Sequence, residues 1–127
     1  MRKFAVIDIL MDIGEFREYC LGKKGTTESF PFDENTIVFK VMGKMFALAD
    51  VDDFDSINLK CEPDEALELR EKFGAVQPGF HMSKKHWNTV VLNDDANDKL
   101  VYSWIDDSYN LIVKSLPKKV RAELNNL

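Results

Sequence analysis

Two histidines, a lysine pair and an asparagine beside a tryptophan fall in one stretch, Val76–Leu92, which reads Val-Gln-Pro-Gly-Phe-His-Met-Ser-Lys-Lys-His-Trp-Asn-Thr-Val-Val-Leu. Lys84 and Lys85 offer positive charge to phosphate oxygens. His81 and His86 add ring nitrogens, Asn88 and Thr89 offer polar contacts, and Trp87 offers a flat face on which a base can stack. No acid occurs between residues 75 and 93, although the chain holds 22 acidic against 17 basic residues. Lys118, Lys119 and Arg121 make a second basic group near the end of the sequence. The same residues also suit an ordinary solvated hairpin. Phe80, Trp87 and Val91 fit a hydrophobic core, and lysines at a turn keep a sheet edge from pairing with other chains.

Other chemistries have less to stand on. His81 and His86 are five residues apart, and on one continuous strand they face opposite sides. No third ligand stands near them, and zinc takes three or four. Cys20 and Cys61 lie far apart with no histidine beside either, so they read as two reduced thiols. No GxSxG, HExxH or phosphate-cradling glycine loop occurs. Gly22-Lys23-Lys24-Gly25 follows a helix rather than preceding one. Residues 50–72 hold nine acids against three bases, which reads as a solvated face. Asp52, Asp53 and Asp55 lack the ligand spacing of a calcium loop. The expectation is a non-enzymatic protein with no cofactor and no metal.

Positioning these residues falls to a regular alternation of elements. Asp12 and Glu15 form a capping box, and Ile13, Phe16 and Cys20 follow at helical spacing up to Gly22. Residues 23–34 read as a loop, with Phe30 and Phe32 lidding the core around Pro31. Three strands follow: 35–41, 45–51 and 56–61. The first two meet at the tight turn Met42-Gly43-Lys44. Pro63-Asp64-Glu65 opens a second helix, lined by Ala66, Leu69 and Phe73 and ended by Gly74. Two short strands are then expected about a Ser83-Lys84-Lys85 turn, the first demoted to an edge by Pro78. Asp98 is the expected cap of a third helix, whose face is Val101, Trp104, Ile105, Ser108, Leu111 and Ile112. Leu116-Pro117 breaks it, and a short basic helix closes the sequence. The order α-β-β-β-α-β-β-α predicts an α+β, two-layer sandwich: an antiparallel sheet of about five strands with helices on one face.

Length and composition agree. The 127 residues fit a single domain, and 45% hydrophobic with 31% charged residues describes a globular, soluble chain. The net charge of −5 opposes nonspecific binding to nucleic acid or anionic membrane unless a local basic face exists. No segment approaches a membrane span. Residues 1–10 resemble the start of a signal peptide, but Asp8 interrupts the short apolar run and no cleavage site follows, so a cytoplasmic protein is expected. Those ten residues are expected to form either an extra strand or an extension ahead of the first helix.

Several segments, taken in order, resemble the MmcQ/YjbR family of small bacterial proteins. They are Met11–Cys20, Ser29-Phe30-Pro31-Phe32, Val41–Ala47, Asn58-Leu59-Lys60-Cys61, Pro78–Val90, Ser108-Tyr109 and Leu116-Pro117-Lys118-Lys119. Pro78–Val90 is the most specific, and the likeness covers residues 11 to about 124. It implies the same element order, in a fold compared with secretion chaperones and with frataxin (CyaY-like) sandwiches. It also implies binding to double-stranded DNA through a double wing of two hairpins. The wings correspond here to Met42–Lys44 and Ser83–Lys85. The nucleic-acid-binding residues expected on this basis are Lys44, Lys84, Lys85, His86, Asn88, Lys118 and Lys119. The alternative implied by the chaperone likeness is a protein-interaction module with a protein partner. The family carries no agreed catalytic residues to transfer.

Overall fold

The computed structural model describes residues 11–127, so the expectations for residues 1–10 lie outside it. Helix α1, Ile13–Leu21, starts on the expected capping box: Asp12 accepts from the Glu15 amide, and the Glu15 side chain accepts from the Asp12 amide. Strands β1 (Thr26–Ser29), β2 (Thr36–Val41), β3 (Lys44–Asp50) and β4 (Ser56–Lys60) follow, then α2 (Pro63–Lys72). Strands β5 (Val76–Pro78) and β6 (Trp87–Val91) complete the sheet, and α3 (Asp98–Ser115) and α4 (Lys118–Asn125) end the chain. The fold is α+β, with one antiparallel six-stranded sheet in the order β1-β2-β3-β4-β6-β5.

Register assigns each side chain to a face, because the strand period is two. Phe39 lies opposite Ala47, which lies opposite Leu59, which lies opposite Asn88. That row faces the helices, with Ile37, Ala49, Ile57, Val90 and Val76 beside it. Phe16 and Cys20 of α1, Val101, Trp104, Ile105 and Ile112 of α3, and Leu124 of α4 close over them as the main core. On the reverse face Val38, Leu48 and Trp87 form a smaller cluster, flanked by Met45 and Met82. Trp87 is therefore a core residue, but of the second face.

An irregularity between Phe39 and Lys40 shifts the β2–β3 register. It lets Phe46 turn towards the helices, where its ring meets Tyr109 edge-on at 5.3 Å. Beyond Ala47–Leu59 the β3–β4 ladder stops. Ser108, fully buried on α3, stands in for the missing pair: its hydroxyl donates to the Phe46 carbonyl at 2.6 Å and accepts from the Lys60 amide at 2.9 Å.

Four expectations are corrected. Thr26–Ser29, expected within a loop, is edge strand β1, paired residue by residue with β2. Phe30 and Phe32 do not lid the core; they are 47% and 63% exposed. Asn97, not Asp98, caps α3, its side chain accepting from the Leu100 amide at 2.9 Å. Phe73, not Gly74, ends α2.

Candidate nucleic-acid interface

Register also decides which charges share an end of the sheet. Lys44 begins β3, and Lys60 ends β4 and lies opposite Trp87, which begins β6. Pro78, ending β5, lies opposite Asn88. The β2–β3 turn and the β5–β6 loop therefore leave the sheet at the same end. Thr26 lies opposite Val41, so Lys23 and Lys24 arrive there too. Helix α3 runs towards that end, where Ser115 lines a hollow with Lys60 and His86. Helix α4 is tied to it by the Lys24 ammonium, which donates to the Asn125 carbonyl at 3.4 Å. The opposite end carries Asp33, Glu34, Asp50, Asp52, Asp53, Asp55, Asp94 and Asp95 on its loops and strand termini. Lysines thus gather at one end and aspartates at the other, and Glu62 and Asp64 at the start of α2 adjoin the lysine end.

Of the residues expected to touch nucleic acid, Lys44, Lys85, His86, Lys118 and Lys119 are exposed at the basic end. Lys84 is also exposed, but its ammonium donates to the Gly79 carbonyl at 2.8 Å and so helps to hold the loop. Asn88 departs from expectation. It is 2% exposed and lies on the helix side of the sheet, so it cannot contact a surface ligand in this fold. Trp87, 6% exposed on the reverse face, has no free ring face for a base. The Lys60 ammonium lies 6.0 Å from its ring centroid.

The second wing is not the tight Ser83–Lys85 turn expected. Residues 79–86 form a longer loop built from two successive turns. In the first the Met82 amide donates to the Gly79 carbonyl at 3.3 Å; in the second the Trp87 amide donates to the Ser83 carbonyl at 2.9 Å. His81 takes a left-handed φ of 59° at its crest, and Phe80 is 66% exposed beside it. One residue that sequence reasoning missed organises the loop. Arg70, in the last turn of α2, donates through Nε to the Asn88 Oδ1 at 2.7 Å, and its Nη2 donates to the carbonyls of Lys84 and Trp87. Thr89 adds a second anchor, accepting from the Phe80 amide at 2.9 Å and donating to the Asn58 Oδ1.

Both thiols are held in the protonated form. Burial pushes Cys20 up to about 12. Cys61 is pushed up to about 11 by burial, with Glu65 and Asp107 adding to the shift. Neither is poised as a nucleophile at neutral pH. Among the described residues no three His, Cys, Asp or Glu side chains are grouped to hold a metal. None of the described helices is long and apolar enough to cross a membrane.

The YjbR family model matches residues 21–111, which span the sheet, α1's end, α2 and most of α3. The chain belongs to the YjbR family. It is 34% identical over 118 residues to the Escherichia coli K12 protein YjbR, covering 92% of this chain and all of that one. It is 31% identical over 75 residues to Bacillus subtilis YyaQ, covering 59% of this chain and 63% of that one. Among solved structures, the Deinococcus radiodurans protein DR2400, of the DUF419 family, superposes with a TM-score of 0.85 at 34% identity, covering 91% of this chain and 89% of that one. A Pseudomonas syringae protein superposes with a TM-score of 0.67 at 30% identity, covering 80% of this chain and 98% of that one.

Proposed function

We propose that this YjbR protein is a non-enzymatic double-stranded DNA-binding protein that meets the phosphate backbone with the basic end of its sheet. The carrying observation is the common exit of the β2–β3 turn and the β5–β6 loop, which sets Lys44 and Lys85 at the same end as Lys118 and Lys119. The aspartate-rich end faces away in that pose, which orients the approach of the lysine end to the phosphates. Contacts of this kind follow phosphate geometry, not base sequence. Four phosphate contacts give a slope of roughly −3.6 in log affinity against log salt, about a hundredfold loss between 50 and 200 mM. The test measures affinity for a random duplex across that range. Lys118→Glu combined with Lys119→Glu is expected to cut the slope by about two. Absence of binding at the lowest salt, or a slope unmoved by the charge reversals, refutes the reading.

A second reading, a protein-interaction module, rests on Phe30 and Phe32, which stand exposed just past the edge strand β1. An extended segment paired with β1 would cover both rings. Its test is the oligomeric state and peptide binding of a Phe30→Ser/Phe32→Ser variant, with loss of an association seen in the parent as the supporting result.

A further inference from the structure

Phe80 is the one large apolar ring left exposed inside the acid-free window, and phosphate contacts at the basic end make no use of it. It is 66% exposed, whereas Trp87 in the same window is buried. Its setting differs from that of the other exposed rings. Phe30 and Phe32 are followed by Asp33 and Glu34, but no acid occurs between residues 75 and 93. Lys84, Lys85 and His86 are exposed on the same loop.

The loop holds this ring out by several independent ties. The Gly79 amide donates to the Trp87 carbonyl at 2.9 Å, and the Phe80 amide donates to the Thr89 hydroxyl at 2.9 Å. Thr89 lies opposite Asn58, on the face of the sheet away from the helices. Met82 packs there too, on the Val38, Leu48 and Trp87 cluster. Next to Phe80, His81 takes its left-handed φ of 59°, a conformation that a residue with a side chain keeps where its surroundings impose it. The two rings lie 4.1 Å apart, centroid to centroid, tilted by 49°. Two acids come near the loop from other elements. Glu62 shares a hollow with His86, Leu111 and Ile112 on the helix side, while the Phe80 backbone is tied to the opposite face. Glu71 follows Arg70 on α2.

An exposed apolar ring among cations fits a ligand with flat apolar faces and an anionic backbone, which is the chemistry of a nucleobase on its phosphate chain. In an intact duplex both faces of each base are already stacked, and parting them is costly. A base already outside the stack offers its face without that cost. Building on the DNA-binding reading above, we propose that Phe80 stacks on an unpaired base, so that the preferred ligand is a duplex interrupted by a bulged nucleotide. His81 supports the Phe80 ring, Lys85 takes a phosphate beside the unpaired base, and the other lysines of the basic end hold the flanking duplex.

The experiment measures the affinity of the full chain for a random duplex and for the same duplex carrying one unpaired thymidine. The parent is expected to bind the bulged duplex about tenfold tighter, the low side of what one base–aromatic stack contributes. Phe80→Leu is as apolar but has no stacking face. It is expected to bring the two affinities within about twofold of each other while the salt slope on the intact duplex stays as in the parent. Phe80→Trp is expected to keep the preference. Both variants should unfold in urea as the parent does, because the site is exposed. Equal affinity of the parent for both duplexes, a preference that survives Phe80→Leu, or one lost in Phe80→Trp overturns this proposal and leaves the phosphate contacts standing. Absence of binding to either duplex at the lowest salt overturns both readings together.

Discussion

The two wings at the basic end are built in opposite ways. The β2–β3 tip is minimal: Met42 at φ 49° and Gly43 at φ 87° turn the chain in two residues, and Lys44 is exposed where β3 begins. Turn geometry alone specifies it. The β5–β6 loop spans residues 79–86 and is held from outside, by Arg70 on α2, Thr89 on β6 and its own Lys84. One tip is a local consequence of sequence. The other is a tertiary structure in miniature, whose lysines differ in role although they are adjacent.

Breaking the remote anchor has the largest expected effect. Arg70→Met strips the donors from the Lys84 and Trp87 carbonyls and leaves the Asn88 Oδ1 buried without a partner. An unsatisfied buried amide with lost packing predicts about 2–4 kcal/mol of destabilisation. For a chain of this size the melting temperature falls by roughly 10 °C. Hydrogen exchange should accelerate across 80–86 while the β2–β3 tip keeps its protection. A loss under about 1 kcal/mol means that the loop supports itself, and the contrast between the wings fails.

Alanine at the two glycines sharpens the same contrast. A Cβ on Gly79 falls 2.8 Å from both the Cβ and the carbonyl oxygen of Trp87. The carbonyl is backbone within the sheet and cannot swing aside, so Gly79→Ala is expected to cost about 2 kcal/mol through overpacking. Gly43 has open space around it and only the left-handed φ of 87° to object. Gly43→Ala therefore costs about 1 kcal/mol. Urea unfolding of the two variants measures the order, and a reversal means that steric closure at the second wing has been overstated.

These contrasts explain what could be read from sequence. Asp12, Glu15 and the Met42-Gly43 turn act within a few residues, so spacing reveals them. The alternation in Ile37–Val41 and Ile57–Leu59 likewise identifies strands, because one face must meet the helices. Strand β1 escaped because Thr-Thr-Glu-Ser is short and polar; pairing with β2 makes it a strand, and nothing local announces that. Its place between Trp87 and Thr89 in a basic window makes Asn88 look like a surface donor. Period two places it opposite Trp87, and here both faces of β6 are covered, one by helices and one by the Val38–Leu48 cluster. Its partner is Arg70, eighteen residues away on another element. An arginine in the last turn of an acidic helix looks like a complement to the helix dipole, and no local pattern distinguishes that from an anchor.

The smallest effect separates neighbours. Lys84 and Lys85 look interchangeable in sequence, yet Lys84 spends its ammonium on the Gly79 carbonyl at 2.8 Å, while Lys85 has no side-chain hydrogen bond among the described residues. Lys84→Met should lose one part-buried hydrogen bond, about 0.5–1 kcal/mol. It should leave the salt dependence of DNA binding nearly unchanged if the ammonium, still charged, stays held at the Gly79 carbonyl and makes no phosphate contact. Lys85→Met should leave stability unchanged and lower the salt slope by about 0.9, the share of one phosphate contact. Lys44→Met should match Lys85→Met, since both lysines stand free at wings leaving the same end of the sheet. The check is a pair of urea curves together with affinities at several salt concentrations for each variant. Equal slopes for Lys84→Met and Lys85→Met would mean that the Lys84 ammonium leaves Gly79 when DNA arrives. The second wing would then be remodelled on binding while the first stays rigid.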